Sequence, residues 1–241
     1  MEIQEFINKL KEKLFKIDIK IDDMTAAKLY EYMCLLKEWN KKVNLTAITE
    51  DEEIITKHFV DSLTILKYIK NDDLVADIGT GAGFPGIPIK IVNPSIKLTL
   101  IDSLKKRIDF LEEVTTNLKL KNVRLMHSRA EDLGKNKGYR QQYNITVSRA
   151  VSHLNTLSEY MLPLTAVRGL GICMKGPNCI DEIQKSKPAI ELLGGKIKQI
   201  EEIILPDTNI KRTIITIKKV SNTPLEYPRK ANIIEKKSLT Y

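Results

Sequence analysis

Cysteine is scarce in this chain of 241 residues, which contains only Cys34, Cys173 and Cys179. An odd number of cysteines without a C-x-x-C pair argues against both a disulfide framework and a zinc site. We therefore expect reduced thiols, no metal and a cytoplasmic protein.

Long apolar runs are also missing. No uncharged apolar run is long enough to cross a bilayer, and the first fifteen residues, MEIQEFINKLKEKLF, mix acids with lysines where a secretory signal needs an apolar core. The three histidines, His58, His127 and His153, lack the spacing of metal ligands, so we expect each to be structural or exposed. Nothing in the sequence requires a dimer, and we expect a monomer.

Charge is abundant and unevenly distributed. The formal net charge is +8. Residues 1–50 are neutral, with nine basic and nine acidic side chains, whereas residues 104–150 carry eleven basic and five acidic ones, a net charge of +6. A basic surface confined to part of a protein attracts polyanions through their phosphates. Lysines can also simply solvate helices, so charge alone leaves a nucleic-acid partner open.

The hydrophobic pattern changes near residue 71. Apolar residues recur at helical spacing in the first seventy residues, which predicts an N-terminal helical extension over residues 1–70. In residues 71–220 short apolar strands alternate with helices, which predicts a parallel sheet covered on both faces. The predicted strands are 74–79, 97–102, 123–128, 143–150 and 170–176, followed by 196–205 and 212–220, which form an antiparallel hairpin. Residues 221–241 form a polar, basic tail with prolines.

This order of elements predicts an α/β fold that resembles the S-adenosylmethionine-dependent methyltransferases: a Rossmann-like, mostly parallel seven-stranded sheet with a C-terminal antiparallel hairpin. The loop after the first strand, ADIGTGAGFPGIP (76–88), has Gly81, Gly83 and Gly86 in the G-x-G-x-x-G spacing usually associated with dinucleotides. Glycine lets the backbone approach a ligand closely, which suits NAD and S-adenosylmethionine equally.

The residues around this loop favour S-adenosylmethionine. Asp77 ends the first strand, where a carboxylate suits the cationic methionine end of that cofactor and where burial without a partner is costly. Pro85 and Pro88 remove N–H donors from a helix start that would otherwise cradle a phosphate. Asp102 ends the second strand, where it can accept bonds from ribose hydroxyls, and Glu131 follows the third, where methyltransferases read the adenine edge. An NAD-dependent oxidoreductase remains the alternative.

Motifs for several methyl acceptors are missing. After the fourth strand the chain has Ser148-Arg149-Ala150 in place of the Asn/Asp-Pro-Pro-aromatic motif of enzymes that methylate exocyclic amines. Cys173 lies in a predicted strand and Cys179 has no base beside it, so a cysteine nucleophile is not expected. Guanine N7 carries its own lone pair and no proton, so in-line transfer to it needs positioning and no general base. Basic residues at predicted strand ends can hold phosphates and the base; they are Lys105, Lys106, Arg107, Arg129, Arg149 and Lys175.

A series of motifs in order then resembles one family. They are NLTAITEDEEIITKHFVDSL (44–63), VADIGTGAGFPGIPIKI, LIDSLKKRIDFL, SRAEDL, SRA, MKG and YPRK, spread over about residues 25–231. Together they are similar to the bacterial small-subunit ribosomal RNA methyltransferase G family, also called glucose-inhibited division protein B. The resemblance implies transfer from S-adenosylmethionine, with S-adenosylhomocysteine as product, to N7 of one guanine in 16S rRNA. It also implies a substrate presented by 16S rRNA or the small ribosomal subunit.

The same resemblance assigns roles to individual residues. Those implied to bind the cofactor are Gly79, Gly81, Phe84, Asp102, Ser103, Ala130, Glu131 and Arg149, beside Asp77 from the argument above. Arg149 and Arg129 are predicted to be catalytic, and RNA contacts are predicted for Lys105, Lys106, Lys175 and Arg212. After YPRKA the family continues with Gly and Pro, whereas this chain has Asn232-Ile233-Ile234-Glu235, which leaves the conformation of the tail open. A non-catalytic RNA-binding protein with the same fold is a further alternative.

Overall fold

The structure, a computed structural model, describes residues 1–149 and 152–239. Ala150, which belongs to the predicted fourth strand and to the Ser148-Arg149-Ala150 motif, lies outside the described residues, as do Val151 and the last two residues of the tail. Among the described helices, none combines the length and the apolar character that a bilayer span requires.

A seven-stranded sheet forms the centre of the molecule, with strand order β3-β2-β1-β4-β5-β7-β6. Its strands are β1 (Leu74–Ile78), β2 (Lys97–Asp102), β3 (Val123–His127), β4 (Tyr143–Arg149), β5 (Thr165–Lys175), β6 (Gly195–Ile204) and β7 (Lys211–Lys219). The first five are parallel, while β7 pairs antiparallel with both β5 and β6. The predicted α/β methyltransferase architecture is therefore confirmed, including its terminal hairpin.

Helices cover both faces of this sheet. They are α1 (Ile3–Phe15), α2 (Asp23–Asn40), α3 (Asp51–Ile54), α4 (Asp61–Leu63), α5 (Gly86–Val92), α6 (Lys105–Asn117), α7 (Ala130–Lys135), α8 (Leu154–Met161), α9 (Ile180–Leu192) and α10 (Ala231–Lys236). A π-helix, Ile55–Val60, joins α3 to α4, and a 3₁₀ turn, Leu66–Tyr68, leads to β1. The helix α9 contains Pro188, and the sequence pattern predicts no element there.

The N-terminal helices pack directly on one face of the sheet. Phe6 and Tyr32 belong to the same buried cluster as Phe84 of the glycine loop and Phe110 of α6. The Tyr32 ring lies 5.4 Å from that of Phe84, and its hydroxyl donates to the carbonyl of Ala82. Residues 1–70 therefore form a wall against which the glycine loop is held, rather than a cover at a distance from it.

The tail folds back onto the sheet domain, on the side of α8. Glu159 is completely buried, and its carboxylate accepts hydrogen bonds from the backbone N–H and the guanidinium of Arg229 at 2.7–3.2 Å. The Arg140 side chain donates to the carbonyls of Thr223 and Tyr227, both at 2.7 Å. The YPRK motif is thus an anchor for the tail, and α10 forms where the sequence left the conformation open.

Candidate active site

A cavity of about 490 Å³ opens at the carboxyl ends of the parallel strands. Its walls come from the loops after β1, β2 and β3, from the end of β4, from α8 and from the N-terminal segment. The lining residues are Leu45, Thr46, His58, Ile78, Gly79, Thr80, Gly81, Ala82, Phe84, Ile101, Asp102, Ser103, Arg107, Ser128, Arg129, Ala130, Glu131, Arg149 and Tyr160. Ligands of open α/β sheets bind at this edge, so the cavity is the candidate active site.

The glycine loop forms the floor of the cavity. Gly79 and Gly81 have φ of 67° and 60°, a left-handed conformation that side-chain-bearing residues rarely adopt. A Cβ atom built on Gly81 would meet no heavy atom within 4 Å, so the backbone here faces open space. The N–H groups of Gly79 and Thr80 are fixed on the carbonyl of Ile101 at the end of β2. A rigid loop therefore presents bare backbone to a ligand.

Asp77 lies beneath this loop rather than in the cavity wall. Its Oδ2 accepts hydrogen bonds from Thr80 Oγ1 at 2.7 Å and from the N–H of Gly86 at 2.8 Å, and the side chain is fully buried. Burial raises the pKa of Asp77 to about 6. The Gly86 N–H that begins α5 is thus bound to a carboxylate, which leaves it unable to cradle a pyrophosphate. Asp77 thus ties the two ends of the loop together, while its Oδ1 has no hydrogen-bond partner among the described residues. Its contact with the methionine end of the cofactor stays a prediction.

Asp102 stands at the rim of the loop and is almost fully buried. Its Oδ2 accepts from the N–H of Gly81 and its Oδ1 from the N–H of Leu104, both at 2.9 Å, while Arg107 Nη1 lies 3.1 Å from Oδ2. A carboxylate has about four lone-pair sites, so room remains for further donors such as hydroxyls. Asp102 and the neighbouring Ser103 both line the cavity, where the sequence places ribose contacts.

Glu131 offers an unused acceptor on the opposite wall. The residue is 6% exposed, and its Oε1 is buried without a hydrogen-bond partner among the described residues. Arg129 Nη1 lies 3.6 Å from this atom, an ion-pair distance but not a hydrogen bond. A buried carboxylate oxygen without a donor is costly, and a ligand that brings an N–H group would remove that cost. The position after β3 is the one expected to meet adenine.

Arg149 connects the end of β4 to the N-terminal wall. Its Nη1 donates to the carbonyl of Lys57 at 3.0 Å, and its Nη2 lies 3.0 Å from His58 Nδ1. The guanidinium carbon lies 5.0 Å from the ring centre of Phe84, and the His58 ring stacks on that ring at 4.2 Å. Desolvation lowers the pKa of Arg149 from its ordinary value. Arg149, His58 and Phe84 form one packed layer in the cavity wall.

His58 is the functional candidate that sequence reasoning missed. Burial, followed by the charge of Arg149, lowers the pKa of His58 to about 3, so the ring is neutral. Since Arg149 donates to Nδ1, the proton lies on Nε2, which is 3.0 Å from Thr46 Oγ1. Thr46 and His58 precede the first strand by many residues, and only their place in the NLTAIT and KHFVDS motifs distinguished them.

The four residues predicted to contact RNA lie outside the cavity lining. Lys175 Nζ is 2.7 Å from a carboxylate oxygen of Glu182, and Arg212 Nε is 3.0 Å from Asp61 Oδ2, so both are engaged within the protein. Lys105 pairs with Asp109 on the exposed surface of α6, and Lys106 is exposed beside it. Of the predicted basic residues, the structure thus brings Arg107, Arg129 and Arg149 to the cavity and places Lys105, Lys106, Lys175 and Arg212 elsewhere.

Comparison with known proteins identifies relatives of the whole chain. The family model described as rRNA small subunit methyltransferase G matches residues 25–211. Proteins named Ribosomal RNA small subunit methyltransferase G are similar to it: that of Acetivibrio thermocellus is 51% identical over 92% of this chain and 92% of its own, and that of Alkaliphilus metalliredigens is 47% identical over 95% and 97%.

Solved structures with lower identity share the fold alone. NSun6 from Pyrococcus horikoshii with SFG has a TM-score of 0.55 at 14% identity and covers 69% of this chain and 53% of that one. TYW2 from M. jannaschii in complex with AdoMet has a TM-score of 0.52 at 14% identity over 67% and 76%.

Proposed function

The chain belongs to the ribosomal RNA small subunit methyltransferase G family, and from this premise we propose that it transfers the methyl group of S-adenosylmethionine to N7 of a guanine in 16S rRNA. Two alternatives are an NAD-dependent oxidoreductase, which the glycine loop does not support, and a non-catalytic RNA-binding protein, which the methylation assay below distinguishes. The loop that would cradle a pyrophosphate uses its helix N–H on Asp77.

The observation that carries this proposal is that the two described titratable residues beside Arg149 and the glycine loop, His58 and Asp102, are already engaged within the protein, so neither is free to act as a general base. His58 has a pKa of about 3 and both its ring nitrogens are occupied. Asp102 is held by two backbone N–H groups and Arg107. Acceptors that must lose a proton need such a base. Guanine N7 has no proton and supplies its own lone pair, so it suits this cavity.

Covalent catalysis through sulfur is equally disfavoured by the structure. Cys173 is fully buried in β5, and burial raises the pKa of its thiol to about 12. Cys179 is buried as well, and Cys34 lies on α2 outside the cavity lining. A thiolate is the reactive form of cysteine, burial keeps Cys173 in the thiol form, and none of the three cysteines lines the cavity.

The cavity residues fit the donor expected of this family. Gly79, Gly81 and Asp102 would hold its nucleoside and Glu131 its adenine amino group, because that carboxylate has a buried oxygen still able to accept a hydrogen bond. When bound, S-adenosylmethionine supplies a methyl group on a positively charged sulfur, a strong electrophile. The protein's task is then to orient the acceptor in line with that methyl group and to exclude water.

Arg149 is suited to orient the guanine. Its guanidinium donates three hydrogen bonds within the protein, to Lys57, His58 and Asp61. A guanidinium has five N–H donors, so it retains donors for guanine O6. N7 gains positive charge during transfer, so Arg149 acts by positioning the ring before the methyl group moves. Arg129, which is more exposed at the rim, would contact a phosphate.

The deciding experiment is to map the modified nucleotide. Purified small ribosomal subunits that lack the modification are incubated with the enzyme and methyl-labelled S-adenosylmethionine, and the labelled nucleotide is identified by mass spectrometry and by cleavage at N7-methylguanine. Label on N7 of one guanine in 16S rRNA is the expected result. Label on another atom contradicts the acceptor assignment, and no label together with tight rRNA binding favours the non-catalytic alternative. Calorimetry with S-adenosylhomocysteine and NADH tests the cofactor separately.

A further inference from the structure

Five cations cluster at the edge of the sheet opposite the cavity, where the parallel strands begin. We call them the basic edge; they are Lys70, Arg168, Lys196, Lys198 and Lys218. Lys70 precedes β1, Arg168 lies in β5, and the other three lie in β6 and β7. Four of them line a groove of about 310 Å³ together with Tyr68, Asn144 and the backbone around Gly169.

The basic edge is not neutralised by the protein. Among the described residues, none of its five cations has a carboxylate oxygen within 4 Å, in contrast to Lys67 close by, which pairs with Glu201 at 2.5 Å. Glu201 is further occupied by the hydroxyl of Tyr68 at 2.6 Å. Asp73 lies in the groove, and its Oδ2 accepts from the backbone N–H of Lys70 rather than from an ammonium.

The strand pairing places two of these like charges opposite each other, which adds to the repulsion between the cations of the basic edge. Lys196 of β6 lies directly opposite Lys218 of β7 in the antiparallel register. Like charges directly opposite each other destabilise a sheet. The Lys218 ammonium donates to the carbonyl of Arg168, whose φ of 69° is unusual for a residue with a side chain. Here the fold holds together charges that repel each other, in a concave surface open to solvent.

We propose that the basic edge is a second contact surface for ribosomal RNA, which binds the sugar-phosphate backbone on the side of the enzyme away from the cavity. This proposal rests on the proposed function, since the partner is its RNA substrate. Clustered lysines and arginine without acceptors of their own suit phosphate oxygens. The groove offers Tyr68 as its only described aromatic ring, and its hydroxyl is engaged, so backbone binding is favoured over base reading.

The test uses a triple variant of the full chain, K70Q/K196Q/K198Q. These three side chains are exposed and make no hydrogen bond or ion pair in the described structure, so their replacement leaves the fold unchanged. Arg168 and Lys218 are kept because they contact each other. The matched control is K20Q/K185Q/K187Q, which removes the same charge from exposed lysines of the loop before α2 and of α9.

Binding to extracted 16S rRNA and to small ribosomal subunits is measured by filter binding between about 50 and 200 mM salt, a range over which phosphate contacts dominate affinity. We expect the triple variant to bind roughly tenfold more weakly at low salt, with a salt slope smaller by about one for each phosphate that is no longer neutralised. The control variant should stay within about twofold of the wild type. S-adenosylhomocysteine affinity should be unchanged in both.

An equal decrease of rRNA affinity in both triple variants would reduce the effect to net charge and overturn the proposal. So would an unchanged rRNA affinity. Poly-glutamate is added to the binding experiment as an acidic-peptide probe, and a decrease in affinity confined to poly-glutamate would also overturn the proposal. Methyl transfer by the wild type to small subunits is measured in the same preparations. Absence of that transfer contradicts the proposed function, whereas the comparison of the two triple variants still decides whether the basic edge binds RNA.

Discussion

The Oδ2 atom of Asp61 lies 3.3 Å from Nη1 of Arg149, so a buried carboxylate of the N-terminal segment holds the guanidinium that lines the cavity. The π-helix makes this possible. The N–H of Asp61 bonds to the carbonyls of Thr56 and His58, and it bypasses Lys57, whose carbonyl accepts from Arg149. Single turns of π-helix often occur at functional sites, and here the turn is built around one arginine.

Asp61→Asn should slow methyl transfer to small subunits and lower stability together. The change leaves Arg149 and Arg212 without their shared counter-charge, and breaking a buried ion pair costs about 3 kcal/mol. Urea unfolding gives the stability, and initial rates on small subunits give the turnover. Glu53→Gln, close by in α3 but only partly buried, is the control and should change neither. A turnover equal to the wild type in folded Asp61→Asn would show that Asp61 does not position Arg149.

Arg149→Lys should slow methylation about 10- to 100-fold, since an ammonium keeps the charge near Asp61 but cannot reproduce the planar fork of donors. The melting temperature should fall by only a few degrees, because the positive charge remains. Initial rates on small subunits measure the effect, with Arg124→Lys on the exposed surface of β3 as control. Unchanged turnover would place Arg149 outside the chemistry.

Glu131→Gln should lower the affinity for the cofactor without lowering the stability of the fold. The amide has the shape of the carboxylate but loses its charge, so the adenine amino group of S-adenosylmethionine should be bound about tenfold more weakly. The free energy of unfolding should stay the same or rise, because the substitution removes a negative charge from a buried oxygen that has no hydrogen-bond partner. The neighbouring exposed Asp132→Asn serves as control. A lower melting temperature with full affinity for S-adenosylhomocysteine would contradict the assignment.

The pH dependence of stability should reflect the lowered pKa of His58. Its pKa is lowered in the folded protein from 6.5 to about 3, so between these values the unfolded chain binds more protons and stability falls as the pH falls. From pH 6.5 to 5 this amounts to about 2 kcal/mol. Comparing urea unfolding of the wild type with His58→Gln cancels the titration of other groups. Parallel pH profiles would mean that the folded imidazole titrates normally.

Gly86→Ala should destabilise the loop, since a Cβ atom there would lie 2.6 Å from Leu100 Cδ2 and 2.8 Å from Asp77 Oδ2. Overpacking of this kind costs about 1–3 kcal/mol. Gly176→Ala is the matched control, because its Cβ would meet nothing within 4 Å. Thermal unfolding of the two variants decides whether the close approach of Asp77 to the start of α5 matters.

The strands and the terminal hairpin were predictable because buried parallel strands are short apolar runs and the hairpin is marked by its turn. The helix α9 was not, since Pro188 lies inside it and suggests a break. Strand ends also predicted a common site for Asp102 and Glu131, and both residues line the cavity; their contacts with the cofactor stay predictions. They could not show that Asp77 turns its carboxylate under the loop, because that depends on the local path of Gly86.

The N-terminal wall was harder to predict for a different reason. Thr46 and His58 reach the cavity through packing across long sequence separations, which no local pattern encodes. The same holds for Arg212, expected to meet RNA but bound to Asp61 at a separation of 151 residues. Local rules describe which element a residue occupies, and tertiary contacts decide what its side chain touches.

The ion pair between Glu159 and Arg229 also bears on the order in which the chain folds during its synthesis. Glu159 precedes its partner by 70 residues and adjoins Tyr160, which lines the cavity. At about 5–20 residues per second, the ribosome makes the carboxylate several seconds before the arginine that neutralises it. Until then, burying Glu159 is unfavourable. The cavity wall beside Tyr160 is therefore among the later parts of the newly made chain to fold.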